Sequence, residues 1–261
     1  GMPEAVKVYA EEKSYAPLKM VREGLITSFE EDVHKYARPP QVPTIQFLIR
    51  NAPLFAGQRI QYSHFAGSEF QSREMRLAFE TLEQAMIVER LPATFQTEPP
   101  LTDQLRVSPK LLYLDVGLIA HRLSVEPTSL AAGDLNDLFR GTFAEQVVGE
   151  EILALNCLKR EPPCFWCRHQ PGSTAEVDYC LQVKGKIVPI EVKSGKAGRL
   201  RSLLQFMEQA PHPYAVRVYS GEMRIDFLTT PRGKKFQLLS IPFYLVFNLG
   251  EILEEWIEKA A

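Results

Sequence analysis

The chain has 261 residues, of which 45% are hydrophobic and 24% charged, and its formal net charge at pH 7 is −2. This composition is typical of a soluble globular protein with about two domains. The longest apolar run, residues 241–249, is shorter than the ~18 residues of a membrane span and contains Pro242 and Asn248. The sequence therefore excludes a membrane-spanning chain, and its charged first thirty residues do not predict a signal peptide.

Four cysteines are present, a number that suits a reducing compartment. Cys164 and Cys167 form a single C-x-x-C, and no second pair completes a zinc site. On a strand, a three-residue offset places two thiols on opposite faces. We therefore expect packed core cysteines in a cytoplasmic protein without a membrane partner, and a structural zinc is the less favoured alternative.

Residues 1–40 predict a helical arm of two helices, the second over about residues 17–37. Pro39 and Pro40 then break the chain. The arm is amphipathic and should pack through its apolar positions. The positions expected to be buried are Val6, Tyr9, Val21, Leu25, Ile26 and Phe29.

Residues 41–125 predict a winged-helix-like domain, in which three short helices precede a hairpin. The third helix should be capped by Ser68 or Ser72 and run to Ala85. A polar loop that contains proline separates the two strands of the hairpin. The other predicted elements are helices over about 44–52 and 62–66 and strands over about 87–91 and 110–114.

The charge of the third helix bears on whether this domain reads DNA. Acidic side chains on a recognition helix would face phosphates, which is unfavourable. The helix carries Glu69, Glu74, Glu80 and Glu83 against Arg73 and Arg76. We therefore expect a protein contact or a spacer role. Asp115, which follows the second strand, is expected to cap the next helix rather than to belong to a site.

Residues 126–261 predict a second domain with the order helix, three strands, helix, strand. The first helix has a helical apolar spacing, with Glu145 in its first turn. A strand and an amphipathic helix should follow in the tail. The predicted elements are a helix over about 142–156, strands over 164–169, 175–183 and 186–193, a helix over 199–209 and a strand over 214–220.

The most informative residues lie in the hairpin of this domain, where Asp178, Glu191 and Lys193 have the spacing D-x12-E-x-K. Side chains at alternate positions of a strand share a face, so Glu191 and Lys193 point the same way and the hairpin can bring Asp178 beside them. Two adjacent carboxylates repel each other unless a cation lies between them. The alternative is a solvated, charged face of a half-exposed sheet.

Charge is unevenly distributed along the chain. Residues 184–235 contain eleven Lys and Arg residues and four acidic ones. A basic face around a carboxylate pair would attract a polyanion, so we expect nucleic acid as a possible partner of this region. Lysine-rich exposed turns account for part of this excess.

The αβββαβ order with Glu145, Asp178, Glu191 and Lys193 in place resembles the PD-(D/E)XK nuclease-like superfamily, although Val177 stands where the name has proline. The resemblance implies a restriction-endonuclease-like mixed sheet. It also implies Mg²⁺ or Mn²⁺ bound by Asp178, Glu191 and the carbonyl of Val192, with Lys193 and Glu145 as catalytic residues. Gln205, on the following helix, stands where some members carry a further polar site residue. The predicted fold class is thus α+β or α/β in two domains.

Four short segments in order carry a narrower resemblance, to the C-terminal portion of a bacterial AAA-type ATPase family in which an ATPase core precedes a domain of unknown function. They are GMPEAV, LYLDVGL, GTFAEQVVGEEIL and the hairpin with EVDY and VPIEVKSG. The resemblance implies an ATPase core upstream and a winged-helix domain here. No G-x-x-x-x-G-K-[ST] loop occurs, so we expect no ATPase activity from this chain.

Three functions remain open from the sequence. The first is a metal-dependent nuclease module that hydrolyses phosphodiester bonds. The second is a non-catalytic module that binds nucleic acid, and the third is a protein-interaction or regulatory module of the ATPase family. Clustered carboxylates favour the first over the second, because they would repel phosphates in a site that only binds them.

Overall fold

The computed structural model describes residues 2–125, 137–156, 163–170, 172–195 and 200–259. Cys157, which is one of the four cysteines, and Lys196 and Arg199, which are two of the basic residues counted above, lie outside the described residues. The chain forms two compact units, the first from Gly1–Arg90 with Lys110–Phe139 and the second from Leu91–Pro109 with Arg140–Ala261. None of the described helices is long and apolar enough to cross a membrane.

The first unit is mainly helical. Its helices are α1 (Pro3–Glu12), α2 (Ala16–Tyr36), α3 (Val42–Asn51), α4 (Ser72–Gln84) and α5 (Val116–Arg122). Strands β1 (Val88–Leu91) and β3 (Lys110–Tyr113) pair in a two-stranded sheet. In α4 the buried side chains recur at helical spacing, at Met75, Ala78, Phe79 and Leu82. Helices followed by paired strands match the predicted order, and the winged-helix assignment stays a prediction.

Three local expectations for this unit were wrong. The second predicted helix is only a 3-10 turn, Phe65–Gly67. Helix α4 begins after Gln71, whose backbone N–H donates to the Glu74 carboxylate at 2.9 Å, so neither Ser68 nor Ser72 is the cap. In the arm, Val6 is 56% exposed.

The buried side chains of the arm differ from those expected. They are Ala5, Leu18 and Val33. Tyr9, which is 36% exposed, stacks on Tyr15 with ring centroids 4.7 Å apart. Other described residues therefore cover only part of the apolar stripe of the arm. The spacing of apolar residues in the sequence could not predict this, because it does not indicate which element packs against them.

The prediction that Asp115 caps a helix is confirmed. Its carboxylate accepts hydrogen bonds from the backbone N–H groups of Gly117 at 2.8 Å and Leu118 at 3.2 Å, at the start of α5. N–H groups in the first turn of a helix have no carbonyl four residues earlier within the helix, and the Asp115 carboxylate supplies an acceptor for these two, in addition to the Asp115 carbonyl that lies 3.1 Å from the Leu118 N.

The second unit is built on a mixed seven-stranded sheet. Its strands are β2 (Ala93–Thr94), β4 (Cys164–Cys167), β5 (Glu176–Val183), β6 (Lys186–Val192), β7 (Tyr214–Tyr219), β8 (Arg224–Thr229) and β9 (Lys235–Pro242). They lie in the order β2-β4-β5-β6-β7-β9-β8 across the sheet. The helices of this unit are α6 (Asp137–Asn156), α7 (Arg201–Gln209) and α8 (Leu249–Lys259). The predicted order helix, three strands, helix, strand is confirmed, and the chain is mixed α+β.

Two strands were not predicted. Strand β2 has only two residues and pairs with β4 in parallel. Strand β8 is an edge strand, antiparallel to β9, on which Phe227 is 81% exposed. Neither strand has the buried alternation from which strands are recognised in sequence.

Helix α7 packs on the sheet through Leu203, Phe206 and Met207, all of which are fully buried. Phe206 meets the Trp166 ring edge-on, with centroids 5.4 Å apart. Cys164 and Cys180 belong to the same core. The prediction of packed cysteines is confirmed for these two and for Cys167, which are all buried and free of disulfides.

Candidate metal centre

A tight hairpin positions the two predicted metal ligands. Strands β5 and β6 are joined by Lys184 and Gly185, which both have positive φ, of 47° and 70°. Such a two-residue turn fixes the pairing register of the strands. The observed register pairs Tyr179 with Ile190. Carried one residue further, it places Asp178 opposite Glu191 on the same face of the sheet.

Asp178 is buried, and it reaches across the hairpin to the backbone of β6. Its Oδ2 accepts a hydrogen bond from the N–H of Val192 at 2.8 Å. This contact fixes the carboxylate at the end of the paired region. Val192 was predicted to contribute its carbonyl oxygen to the metal. The structure shows that its N–H also orients the Asp178 carboxylate.

Glu191 and Lys193 form a partly buried ion pair, with Lys193 Nζ 2.6 Å from Glu191 Oε1. The backbone N–H of Lys193 donates to the carbonyl of Val218 on β7 at 2.8 Å, which continues the sheet beyond the end of β6. The two side chains therefore lie on one face. The sequence predicted this arrangement from their spacing.

Glu145 lies beyond the first turn of α6, in which it was predicted, because the helix begins at Asp137. The Tyr179 hydroxyl anchors this helix by donating to the Glu145 backbone carbonyl at 2.7 Å. The Glu145 charge acts on both Glu191 and Lys193. Gln205 has a different neighbour, because its side-chain oxygen accepts a hydrogen bond from Arg168 at 3.2 Å. Its place in the site stays a prediction.

The electrostatics of the cluster are dominated by burial. Burial and then the neighbouring charge of Asp178 raise the pKa of Glu191 to about 8, although Lys193 opposes the shift. Burial lowers the pKa of Lys193, but the charges of Glu191, Asp178 and Glu145 outweigh it and leave that pKa above its ordinary value. The cluster thus stabilises the Lys193 ammonium and disfavours ionisation of the Glu191 carboxyl.

One carboxylate oxygen of this cluster lacks a hydrogen-bond partner among the described residues. Glu191 Oε2 is buried and has no hydrogen-bond partner among the residues that the structure describes. An unsatisfied buried acceptor is costly, so it marks a position where a ligand would be favourable. Two carboxylates and a carbonyl are the hard oxygen donors that Mg²⁺ or Mn²⁺ uses, with water completing the shell.

The side chains of the described residues do not form a complete metal site by themselves. Within the described ranges, no group of three or more His, Cys, Asp or Glu side chains could hold a metal ion. The fit therefore rests on Asp178 and Glu191 with backbone and water oxygens. This is the mode in which Mg²⁺, which keeps several waters, is commonly bound.

Sequence reasoning missed Arg217 as a residue of this face. It lies on β7 in register with Glu191, and its side chain is 10% exposed. The available signal was a single arginine within YAVRVY, a strand whose residues are all buried. A charge in such a strand is unusual unless it has partners.

The basic face predicted for residues 184–235 is partly engaged internally. Lys184 pairs with Glu258 at 2.7 Å, Lys234 contacts the Ala210 carbonyl, and Arg217 is buried. Binding of nucleic acid by the basic residues of this face that remain exposed stays a prediction.

Two family models match the chain. Residues 1–129 match a domain of unknown function, DUF8612, and residues 140–244 match another, DUF4143. DUF4143 is typically found in AAA-ATPase-associated proteins, which agrees with the resemblance drawn from the short segments. No curated protein and no solved structure gives a significant match. The chain thus joins a segment similar to DUF8612 to one similar to DUF4143.

Proposed function

We propose that the second unit is a metal-dependent nuclease-like module that acts on phosphodiester bonds, in a protein related to AAA-type ATPases. The observation that carries the proposal is the hairpin cluster, in which Asp178 and Glu191 are buried side by side and one Glu191 oxygen has no partner among the described residues. Ionisation of both buried carboxylates is unfavourable even with Lys193 paired to Glu191, and a divalent cation would compensate both charges.

Asp178, Glu191 and the carbonyl of Val192 would hold Mg²⁺ or Mn²⁺. When bound, such an ion polarises a phosphoryl oxygen and lowers the pKa of a water. The Val192 N–H keeps Asp178 in place for this role, at 2.8 Å from its Oδ2.

Lys193 supplies the positive charge on the same face. Its Nζ, which is held by Glu191 Oε1 at 2.6 Å, would orient the attacking water or stabilise the charge that develops on the phosphorus oxygens. Glu145 would hold a further water near the metal. The resemblance implies a 3′-hydroxyl and a 5′-phosphate as products.

A second candidate function belongs to the first unit. Its arm exposes large apolar side chains, among them Val6, Tyr15 and Met20, at 56%, 44% and 79%. Exposed apolar residues of this kind are found at protein contacts. This observation favours a protein-interaction or regulatory role for the first unit, and it is compatible with a nuclease-like second unit.

The nuclease proposal is tested by incubating labelled DNA and RNA with the purified chain in Mg²⁺, in Mn²⁺ and in EDTA. Asp178→Asn and Lys193→Ala should each reduce cleavage by at least about 100-fold, since each removes a group that acts in the transition state. Asn keeps an oxygen for the Val192 N–H, so it separates loss of charge from loss of structure.

Two matched variants control for nonspecific effects. Glu251→Gln and Lys259→Ala, both on α8, change exposed residues away from the cluster and outside residues 184–235, and both should cleave like the native chain. Equal cleavage by all variants would identify a contaminating nuclease and refute the proposal. Salt-sensitive binding without cleavage would instead support the non-catalytic nucleic-acid-binding function.

A further inference from the structure

Arg217 lies at the centre of a polar row that crosses the sheet of the second unit. Parallel pairing aligns it with Glu191 on β6 and with Ser240 on β9, and antiparallel pairing aligns Ser240 with Arg224 on β8. Residues aligned in register share a face of a sheet. The row therefore runs from the metal-ligand cluster to the edge strand.

A guanidinium buried in a sheet is costly unless its donors and its charge are satisfied. Arg217 Nη2 donates to Ser240 Oγ at 2.7 Å and lies 3.6 Å from Asp226 Oδ2. Its guanidinium also lies over the Tyr219 ring, 4.4 Å from the centroid. These contacts hold the Arg217 guanidinium toward β9.

The charge of Arg217 is only partly neutralised. Asp226 also pairs with Arg224, whose Nε lies 3.1 Å from the same Oδ2. One carboxylate thus serves two guanidinium groups. The charge of Arg217, whose side chain is 10% exposed, is therefore not fully compensated by Asp226.

One donor of Arg217 is also unused. Its Nε is buried and has no hydrogen-bond partner within the part of the chain that the structure describes. On the adjacent strand, in register with it, Glu191 Oε2 is the unused acceptor. A buried donor and a buried acceptor thus occur on neighbouring strands of the same face. A ligand that combines a cation with an anion would satisfy both.

We propose that Arg217 forms an anion subsite that binds a nonbridging oxygen of a phosphodiester, beside the metal position of Asp178 and Glu191. The inference rests on the proposed function, since it names the part of the same site that holds the phosphate. The guanidinium N–H donates to the phosphate oxygen, and Ser240, Asp226 and Tyr219 fix its orientation. Arginine suits this task because its planar donors match phosphate geometry.

The test measures binding and cleavage separately, on the full chain. Fluorescein-labelled DNA and RNA oligonucleotides are titrated with the native chain and with Arg217→Gln in Ca²⁺, by fluorescence anisotropy, and cleavage is followed in Mg²⁺. Arg217→Gln should weaken binding at least about tenfold, the effect of losing a charge-assisted hydrogen bond.

Lys259→Gln is the charge control, because Lys259 lies on α8, outside residues 184–235 and the polar row, and its side chain is 77% exposed. It should bind within about threefold of the native chain, as expected for an exposed charge. Arg217→Lys provides a second variant that keeps a cation in the sheet. It should fold, which tryptophan fluorescence can verify, and should cleave at least about tenfold more slowly because an ammonium lacks the planar donors.

The outcomes separate this inference from the nuclease proposal. If the native chain binds oligonucleotides but does not cleave them, and binding depends on Arg217 but not on Lys259, the nuclease proposal fails and the anion subsite stands. If the native chain cleaves and a folded Arg217→Gln or Arg217→Lys protein binds and cleaves equally well, the anion subsite is refuted alone. Absence of binding to both DNA and RNA by the native chain refutes the subsite.

Discussion

The raised pKa of Glu191 predicts a specific pH dependence of stability. Burial and the charge of Asp178 raise this pKa from the ordinary value of 4.5 to about 8. The folded chain therefore holds a proton on Glu191 over a range in which the unfolded chain has released it. The stabilising contribution is fully present below about pH 4.5 and is lost as the pH rises through about 8.

The magnitude follows from proton linkage. One proton held by the folded state alone changes the free energy of unfolding by about 1.4 kcal/mol per pH unit. Between about pH 6 and pH 8, where the folded carboxyl begins to ionise, the expected loss is about 2 kcal/mol. Glu191→Gln removes this titration, so the variant should gain about 2 kcal/mol relative to the native chain over the same interval.

Tryptophan fluorescence is the appropriate probe for the measurement. The chain has two tryptophans, Trp166 and Trp256, and both lie in the second unit with Glu191. Urea unfolding in EDTA at about pH 6 and pH 8 gives the free energies of unfolding of the native chain and of Glu191→Gln. Glu251→Gln, which changes an exposed glutamate of α8, is the control and should follow the native pH dependence.

The test uses only the difference in the free energy of unfolding between the native chain and Glu191→Gln, because other groups titrate in the same pH range. Burial lowers the pKa of His212, for example, so that histidine contributes its own slope. If the two proteins lose stability in parallel between about pH 6 and pH 8, Glu191 does not hold the proton and the electrostatic account of the cluster is wrong.

Three further predictions concern single groups. Mg²⁺ should stabilise the second unit more strongly at about pH 8.5 than at about pH 6, because it competes with the proton on Glu191, and urea unfolding with and without Mg²⁺ checks this. Asp178→Ala should destabilise the unit by about 1–3 kcal/mol by leaving the Val192 N–H without its acceptor, and Asp178→Asn by less, as equilibrium unfolding in EDTA would show. Asp115→Ala should cost the first unit about 1 kcal/mol by removing the cap of α5, which thermal unfolding followed by far-UV circular dichroism can measure.

The hairpin could be predicted from sequence because its determinants are local. Alternation of Val177, Tyr179 and Leu181 with polar residues indicates which side chains share a face. The Lys184-Gly185 turn fixes the register, and the register fixes which residues lie opposite each other. The pairing of Asp178 with Glu191 thus follows from the segment itself.

Arg217 could not be placed in the same way. Its relation to Glu191 depends on the pairing of β6 with β7, which are joined through α7 and pair in parallel. Sequence periodicity shows that β7 is buried but not which strand it adjoins. The exposed side chains of the arm were missed for a related reason, since the spacing of Val6 and Tyr9 is compatible with a buried face whether or not another element covers it.

The identity of residue 178 bears on the proposal that the cluster binds a metal. One structural task of Asp178 is to accept the Val192 N–H, and an uncharged Asn could perform that task. Lys193 already pairs with Glu191, so a second carboxylate adds repulsion that raises the pKa of Glu191 instead of lowering it. Within the protein, this charge stabilises the Lys193 ammonium but opposes ionisation of Glu191. A divalent cation would turn the same repulsion into binding energy, because it compensates both carboxylates at once.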